Sequence, residues 1–280
     1  MSYNCKDLVN KLSKLGDRLH LNREQALTAL ETSVLPGLLE KCSDEEREQW
    51  MCIIIDVLKL LFNSKRWEDR FGAVCGSAIL IKFFYREDET DPTLKYFVWN
   101  TIRTEHIGPL LIDPEFRVRN QLGELLREMI SHDQLKGKMH FSALQETLLK
   151  NIEETFTREI NSGGQDASAN PLVLHQKKIT AFEESGNKTM HDTEGWKSLE
   201  TSMRILQNII QAMGPSLYDF GLDRVVAVIL KGVDHINRFV REISYFVINA
   251  IFLTSKDIFT SETHILKFRE YCDQLVPIMA

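Results

Sequence analysis

Residues 116–130 read FRVRNQLGELLREMI, and residues 237–252 read NRFVREISYFVINAIF. Each places a Val-Arg pair, Val118-Arg119 or Val240-Arg241, just inside an aromatic-led segment rich in Leu or Ile. A third segment, WEDRFGAVCGSAILIKFFY, begins at Trp67, and its Trp67, Phe71, Val74, Ala78 and Ile81 fall at i, i+4, i+7, i+11 and i+14. That spacing keeps one apolar stripe on one face of an α-helix. Arg70, Arg119 and Arg241 each sit one turn into such a helix. Arg70 and Arg119 are 49 positions apart, and Leu199, which starts a comparable stripe, is 42 before Arg241. Both intervals lie near the roughly 40–47 residues of a repeated two-helix unit. One helical hairpin cannot bury its apolar face alone, whereas stacked hairpins can.

Elsewhere the chain keeps helical periodicity and shows almost no strand alternation. Leu8, Leu12, Leu15 and Leu19 form a first stripe, and Ala26, Leu27, Leu30 and Val34 a second that ends near Pro36-Gly37. Ser43 followed by acidic residues has the chemistry of a helix N-terminus. Pro109 and Pro114 punctuate the next unit. Residues 161–170, NSGGQDASAN, hold no large apolar side chain, and a flexible polar insertion is expected over about 161–192 of an otherwise single domain, 1–280. Helices follow at 194–213, from Leu222, at 237–252 and over roughly 262–276.

EFRVRNQLGELL and NRFVREISYFVI resemble second helices of HEAT repeats, members of the armadillo-type superfamily. WEDRFGA is similar to the opening of some HEAT units in large chromatin-remodelling ATPases. The resemblance covers about residues 44–255 and implies an all-α fold, a right-handed α-solenoid of stacked helical hairpins. It also implies that Arg70, Arg119 and Arg241 lie between neighbouring repeats, each bonding an acidic or carbonyl group. Two departures stand out: Leu199 replaces the arginine in WKSLETS, and the usual proline of the first helix is mostly missing.

The net charge of −6 argues against nucleic acid as the default partner, because phosphate binding usually leaves a basic excess. The longest apolar run worth testing for a membrane, YFVINAIFL at 245–253 with Asn249 inside it, is far shorter than the roughly 20 residues a span needs. Five cysteines without a C-x-x-C pair, and an N-terminus without an apolar signal region, fit a reducing interior, cytoplasmic or nuclear. Cys75, among small neighbours on a helical face, reads as a buried structural thiol. Gly72 and Gly76 read as a place where a neighbouring helix comes close. No phosphate loop, nucleophile elbow or zinc-spaced set occurs, so no enzyme, cofactor or metal is expected. His191-Asp192 beside Thr193 reads as a helix cap before the helix at 194–213.

Two surfaces remain as candidates for a protein partner. Lys65, Arg66, Arg117, Lys197 and Arg238 each lie beside an aromatic residue at the start of a second helix. Stacked in register, they would line one edge, which resembles the tubulin-binding edge of TOG domains. The other surface is the polar faces of the second helices, including Arg204 on one and Tyr245 with Arg238 on another. A scaffold or adaptor is therefore expected, with a TOG-like binder of tubulin or another charged polymer as the alternative. A modest apolar patch is expected near Phe268 and Ile278, at the uncovered end of the stack.

Overall fold

The computed structural model describes residues 5–84, 92–131, 137–162, 195–220, 222–254 and 261–279. The fold is all-α, with no strand among the described residues. In chain order the helices are α1 (Cys5–Ser13), α2 (His20–Ala29), α3 (Leu35–Lys41), α4 (Asp44–Phe62) and α5 (Trp67–Phe84). Then come α6 (Pro92–Tyr96), α7 (Ile107–Leu111), α8 (Phe116–Ser131) and α9 (Gly137–Ser162). The last are α10 (Trp196–Met213), α11 (Asp223–Val233), α12 (Arg238–Thr254) and α13 (Glu262–Met279). The insertion expected at 161–192 lies outside the described residues beyond Ser162, where α9 ends.

Local chemistry sets these boundaries. Ser43 caps α4 reciprocally: its hydroxyl accepts the Glu46 N–H at 3.3 Å, and the Glu46 carboxylate accepts the Ser43 N–H at 3.0 Å. Pro36 and Pro109 do not end their helices, contrary to the expectation from sequence. Each follows a π-helical stretch, Leu30–Val34 or Phe97–His106, that runs on into α3 or α7. A proline ring clashes with the carbonyl four residues back. Those carbonyls belong to Thr32 and Glu105, both inside the π stretches, where the wider coil gives the ring room. The first stripe is also shorter than its leucine spacing suggests. A 3₁₀ turn over Lys14–Gly16 and extended backbone at Asp17 interrupt it, leaving Leu19 65% exposed.

The helices pack in two rows. α4 pairs with α5, α7 with α8, α9 with α10, and α11 with α12. The second member of each pair also touches the next: α5 meets α8, α8 meets α10, and α10 meets α12. The first members form the other row, with α4 against α6, α7 against α9, α9 against α11, and α11 against α13. One continuous apolar core runs between the rows, in which Leu58, Leu80, Leu122, Leu199, Ile229 and Val247 are all fully buried. Each such side chain contributes about 1.5–3 kcal/mol.

At the N-terminal end α2 and the 3₁₀ turn pack on α5, and the approach is close. A Cβ at Gly72 would lie 2.3 Å from the Leu15 carbonyl oxygen, so only glycine fits without a shift there. At the other end α13 docks on α11 and on a 3₁₀ turn at Gly214–Asp219. The buried Tyr218 hydroxyl donates to the Ile251 carbonyl at 2.9 Å, and Lys267 donates to the Tyr218 carbonyl at 2.7 Å. The expected lack of cover over Phe268 is therefore corrected. Phe268 is half-buried, its ring edge-on to both Tyr218 and Phe252 with centroids 6.0 Å away. Among the described side chains of α13, the apolar Leu266, Val276 and Pro277 are exposed, and those of Ile278 and Met279 lie outside the described residues.

Candidate functional site

The turns that open second helices share one construction. Residues 17–23 read DRLHLNR, 64–70 SKRWEDR, 113–119 DPEFRVR and 235–241 HINRFVR. In each, the first side chain accepts the backbone N–H two residues on. Asp17 takes Leu19 at 2.8 Å, Ser64 takes Arg66 at 3.2 Å, Asp113 takes Glu115 at 2.9 Å, and His235 takes Asn237 at 3.0 Å. This is the local bonding that makes short polar residues turn-formers.

The seventh residue is an arginine that folds back on the same turn. Arg23 donates to the carbonyls of Asp17 and Arg18 at 2.6 and 3.0 Å, and Arg70 to those of Ser64 and Lys65 at 3.0 and 2.9 Å. Arg241 donates to the carbonyls of His235 and Ile236 at 2.7 and 2.8 Å, and Arg119 donates to the Asp113 carbonyl. Turn carbonyls have no intrahelical partner, and a guanidinium has enough donors to satisfy two of them. Arg70 also crosses to the next hairpin, bonding both Asp113 carboxylate oxygens. That bond raises the Arg70 pKa further, whereas burial lowers that of Arg119 against the pull of Asp113 and Glu115. Among the described residues, the hydrogen bonds of Arg119 and Arg241 stay within their own turns. Of the three arginines to which the HEAT resemblance assigns contacts between repeats, Arg70 is the one whose hydrogen bonds among the described residues reach the next hairpin.

The clamps hold an edge where cations meet aromatic rings. The Arg117 guanidinium carbon lies 4.8 Å from the centroid of Trp67, which belongs to the preceding hairpin. Arg23 approaches the same ring at 5.2 Å. Further along, Trp196 stacks on Phe239 of the next hairpin at 5.2 Å, with the Lys197 ammonium 5.6 Å from the indole centroid. Arg66 donates to the Gly16 carbonyl at 2.7 Å and so ties its turn to the first one. Lys65, Arg66, Arg117, Lys197 and Arg238 are all exposed. Trp67 and Trp196 are half-buried, each with one side toward the core cluster. Ile112, Phe116, Ile236 and Phe239 are exposed between the cations.

Arg204 and Tyr245 lie elsewhere, each about 10 Å, or two helical turns, into its helix. Arg204 is bonded to Glu200 at 2.5 Å on the same helix. Across the neighbouring helices Asn208 donates to Glu124 at 3.4 Å, and Glu124 also pairs with Arg127. On this face Arg204, Glu200, Asn208, Glu124 and Arg127 are bonded among themselves. Tyr245 and Phe246 are exposed beside Asn249.

No group of three or more His, Cys, Asp or Glu among the described residues could hold a metal ion. No helix among them is long and apolar enough to cross a membrane. The cap assigned to Asp192 or Thr193 lies outside the described residues. Burial pushes the Cys75 thiol up to about 12, so it carries no thiolate at neutral pH. No family model matches the chain, and neither a curated protein nor a solved structure does.

Arg23 is a clamp that the aromatic-led pattern does not flag. Its signal lies in spacing instead: it stands 47 positions before Arg70, with Asp17 six residues ahead of it. The corresponding stretch of sequence before α10, TEGWKSL at 193–199, has Thr193 at the first position and Leu199 at the seventh. Leu199 is fully buried, so that unit exchanges a clamp for core packing. Gly195 precedes α10 at φ 107°, a conformation that other residues rarely adopt.

Proposed function

We propose that the chain is a non-catalytic interaction scaffold, a HEAT-like right-handed α-solenoid whose turn edge docks a partner protein. Two rows of helices, each second helix packed on the next, support the solenoid reading. The observation that carries the functional reading is the Arg117–Trp67 stack at 4.8 Å between consecutive hairpins. It presents a cation on an aromatic platform, with exposed Ile112 and Phe116 beside it. Interfaces favour such arginine and aromatic groups as anchors. The polar faces bearing Arg204 and Tyr245 are the weaker candidate, because Arg204 is bonded to Glu200 at 2.5 Å, far closer than the 3.6 Å pairing of Arg117 with Glu115.

The likeness to TOG domains adds a second reading, in which the same edge meets the acidic surface of tubulin. Exposed cations in successive turns favour it. Capture of partners from a native extract tests the first reading, using wild type against the triple variant Lys65→Glu, Arg117→Glu, Arg238→Glu. Loss of a specific partner with unchanged helicity is the expected result. Co-sedimentation with microtubules tests the second, and no binding at low salt, where attraction is strongest, rejects it.

A further inference from the structure

At the turns 64–70 and 113–119 the charges are sorted by depth. Arg66 and Arg117 expose 45% and 53% of their side chains, while the neighbouring carboxylates Glu68, Asp69, Asp113 and Glu115 expose 16%, 15%, 4% and 25%. Those carboxylates are also engaged. Asp69 accepts the Ser64 hydroxyl at 2.7 Å, Asp113 accepts Arg70, and Glu115 accepts the Arg117 N–H at 3.3 Å. Arg66 and Arg117 pair with these carboxylates at 3.8–3.9 and 3.6 Å yet stand further out than they do. Lys65 and Lys197 are exposed as well, and near Arg238 in sequence the exposed Asp234 and Glu242 offset the charge. The complement is an acidic partner.

Geometry narrows the partner further. A guanidinium lying over an indole is held in place and loses little freedom on binding, and a partner carboxylate there competes with Glu115, 3.6 Å from the Arg117 Nε. Packed helices as a rule sit about 8–10 Å apart, which is the step expected between successive turns of such an edge. An extended polyproline II segment has three residues per turn and rises about 3.1 Å per residue, which returns every third side chain to one face after about 9 Å. The exposed Ile112, Phe116, Ile236 and Phe239 offer apolar footing between the cations, which suits a peptide better than a polyphosphate backbone.

Resting on the reading of the turn edge as the docking surface, we propose that it binds an extended acidic peptide segment of a partner protein. Carboxylates at every third residue of that segment meet successive turns, and apolar side chains between them pack on the exposed Ile and Phe residues.

Fluorescence anisotropy with synthetic peptides tests this on the full chain. The probes are a labelled fifteen-residue peptide with Glu at every third position and Leu, Pro and Ala between, its Gln counterpart, an isomer with the Glu residues clustered, and a labelled oligouridylate. The periodic Glu peptide is expected to bind in a salt-sensitive way and more tightly than the other three. The Lys65→Glu, Arg117→Glu, Arg238→Glu variant should weaken it about tenfold or more, since each exposed pair adds only a modest increment. A single Arg117→Gln variant, checked for native helicity by circular dichroism, should weaken it by a smaller factor. Equal binding of the Gln or clustered peptide, tighter binding of the oligouridylate, or indifference to the substitutions overturns the proposal. If the triple variant loses a captured protein while no acidic peptide binds, only this inference falls. If partner capture survives the triple variant, the docking surface itself is misassigned.

Discussion

Arg70 donates from Nε and Nη2 to both carboxylate oxygens of Asp113, at 2.6 and 3.0 Å, across the boundary between consecutive hairpins. Asp113 is itself the first residue of the next turn, where it accepts the Glu115 N–H. One carboxylate therefore shapes its own turn and fastens the preceding hairpin to it. Only 16% of the Arg70 side chain and 4% of the Asp113 side chain are exposed. Removing one partner strands a largely buried charge. Arg70→Ala should destabilise the chain by about 3 kcal/mol. A double-mutant cycle with Asp113→Asn should show coupling of about 1–3 kcal/mol in urea unfolding. Additive effects would mean that the contact does not fasten the hairpins.

Two glycines should respond to alanine with opposite signs. At Gly72 the new Cβ would meet the Leu15 carbonyl oxygen at 2.3 Å and its carbonyl carbon at 2.5 Å, so backbone must move. Gly72→Ala should cost about 1–3 kcal/mol. At Gly108, in α7, nothing lies within 4 Å of the place a Cβ would take. Gly108→Ala should stabilise by about 0.5–1 kcal/mol through helix propensity. Thermal melts of the two variants check the contrast.

His106 supplies a pH dependence. Its ring stacks on Phe62 with centroids 4.5 Å apart, and its Nε2 is buried without a hydrogen-bond partner among the described residues. Burial holds its pKa below the ordinary histidine value, against a smaller opposing pull from Glu105. Between the two pKa values the unfolded chain binds more protons than the folded one, so stability rises with pH there. The contribution is complete above the unfolded value of about 6.5 and is lost as pH falls through it toward the folded value. Urea midpoints at pH 7.5 and 5.5 should therefore differ more for wild type than for His106→Phe. An equal difference would place the titration elsewhere.

Thiol chemistry should separate two cysteines. Cys52 is exposed, and Cys75 is buried with its pKa pushed up to about 12. Iodoacetamide at neutral pH should modify Cys52 in the folded chain and spare Cys75 until urea is added. Peptide mass spectrometry reads the outcome, and equal labelling of both in the folded chain would contradict the packing of α5.

Much of this is legible in the residues. The capping chemistry of Ser43 depends on a neighbour three positions away and is plain in the sequence, whereas α5 is buried on nearly every side, Gly72 through Ala78 without a break, and not along the single stripe from Trp67 to Ile81 that its spacing suggests. The cations of the turn edge are legible as well, since each stands beside an aromatic at a helix start. The course of the chain through Pro36 and Pro109 is not, because a π turn has no apolar period of its own. Nor is the cover over Phe268, which comes from Tyr218 and Phe252 in other elements. Arg23 is hidden because no aromatic precedes it in its turn, although its spacing to Asp17 matches the other clamps.

The central claim is that partners dock on the turn edge rather than on the polar faces of the second helices. Photo-crosslinking tests it most directly, with p-benzoylphenylalanine replacing Phe116 or Phe239 on the edge and Tyr245 on the helix face. All three positions are exposed, so the label can reach a partner from each. Adducts to one partner from Phe116 and Phe239, with none from Tyr245, are the predicted result. Adducts confined to Tyr245 would contradict the claim.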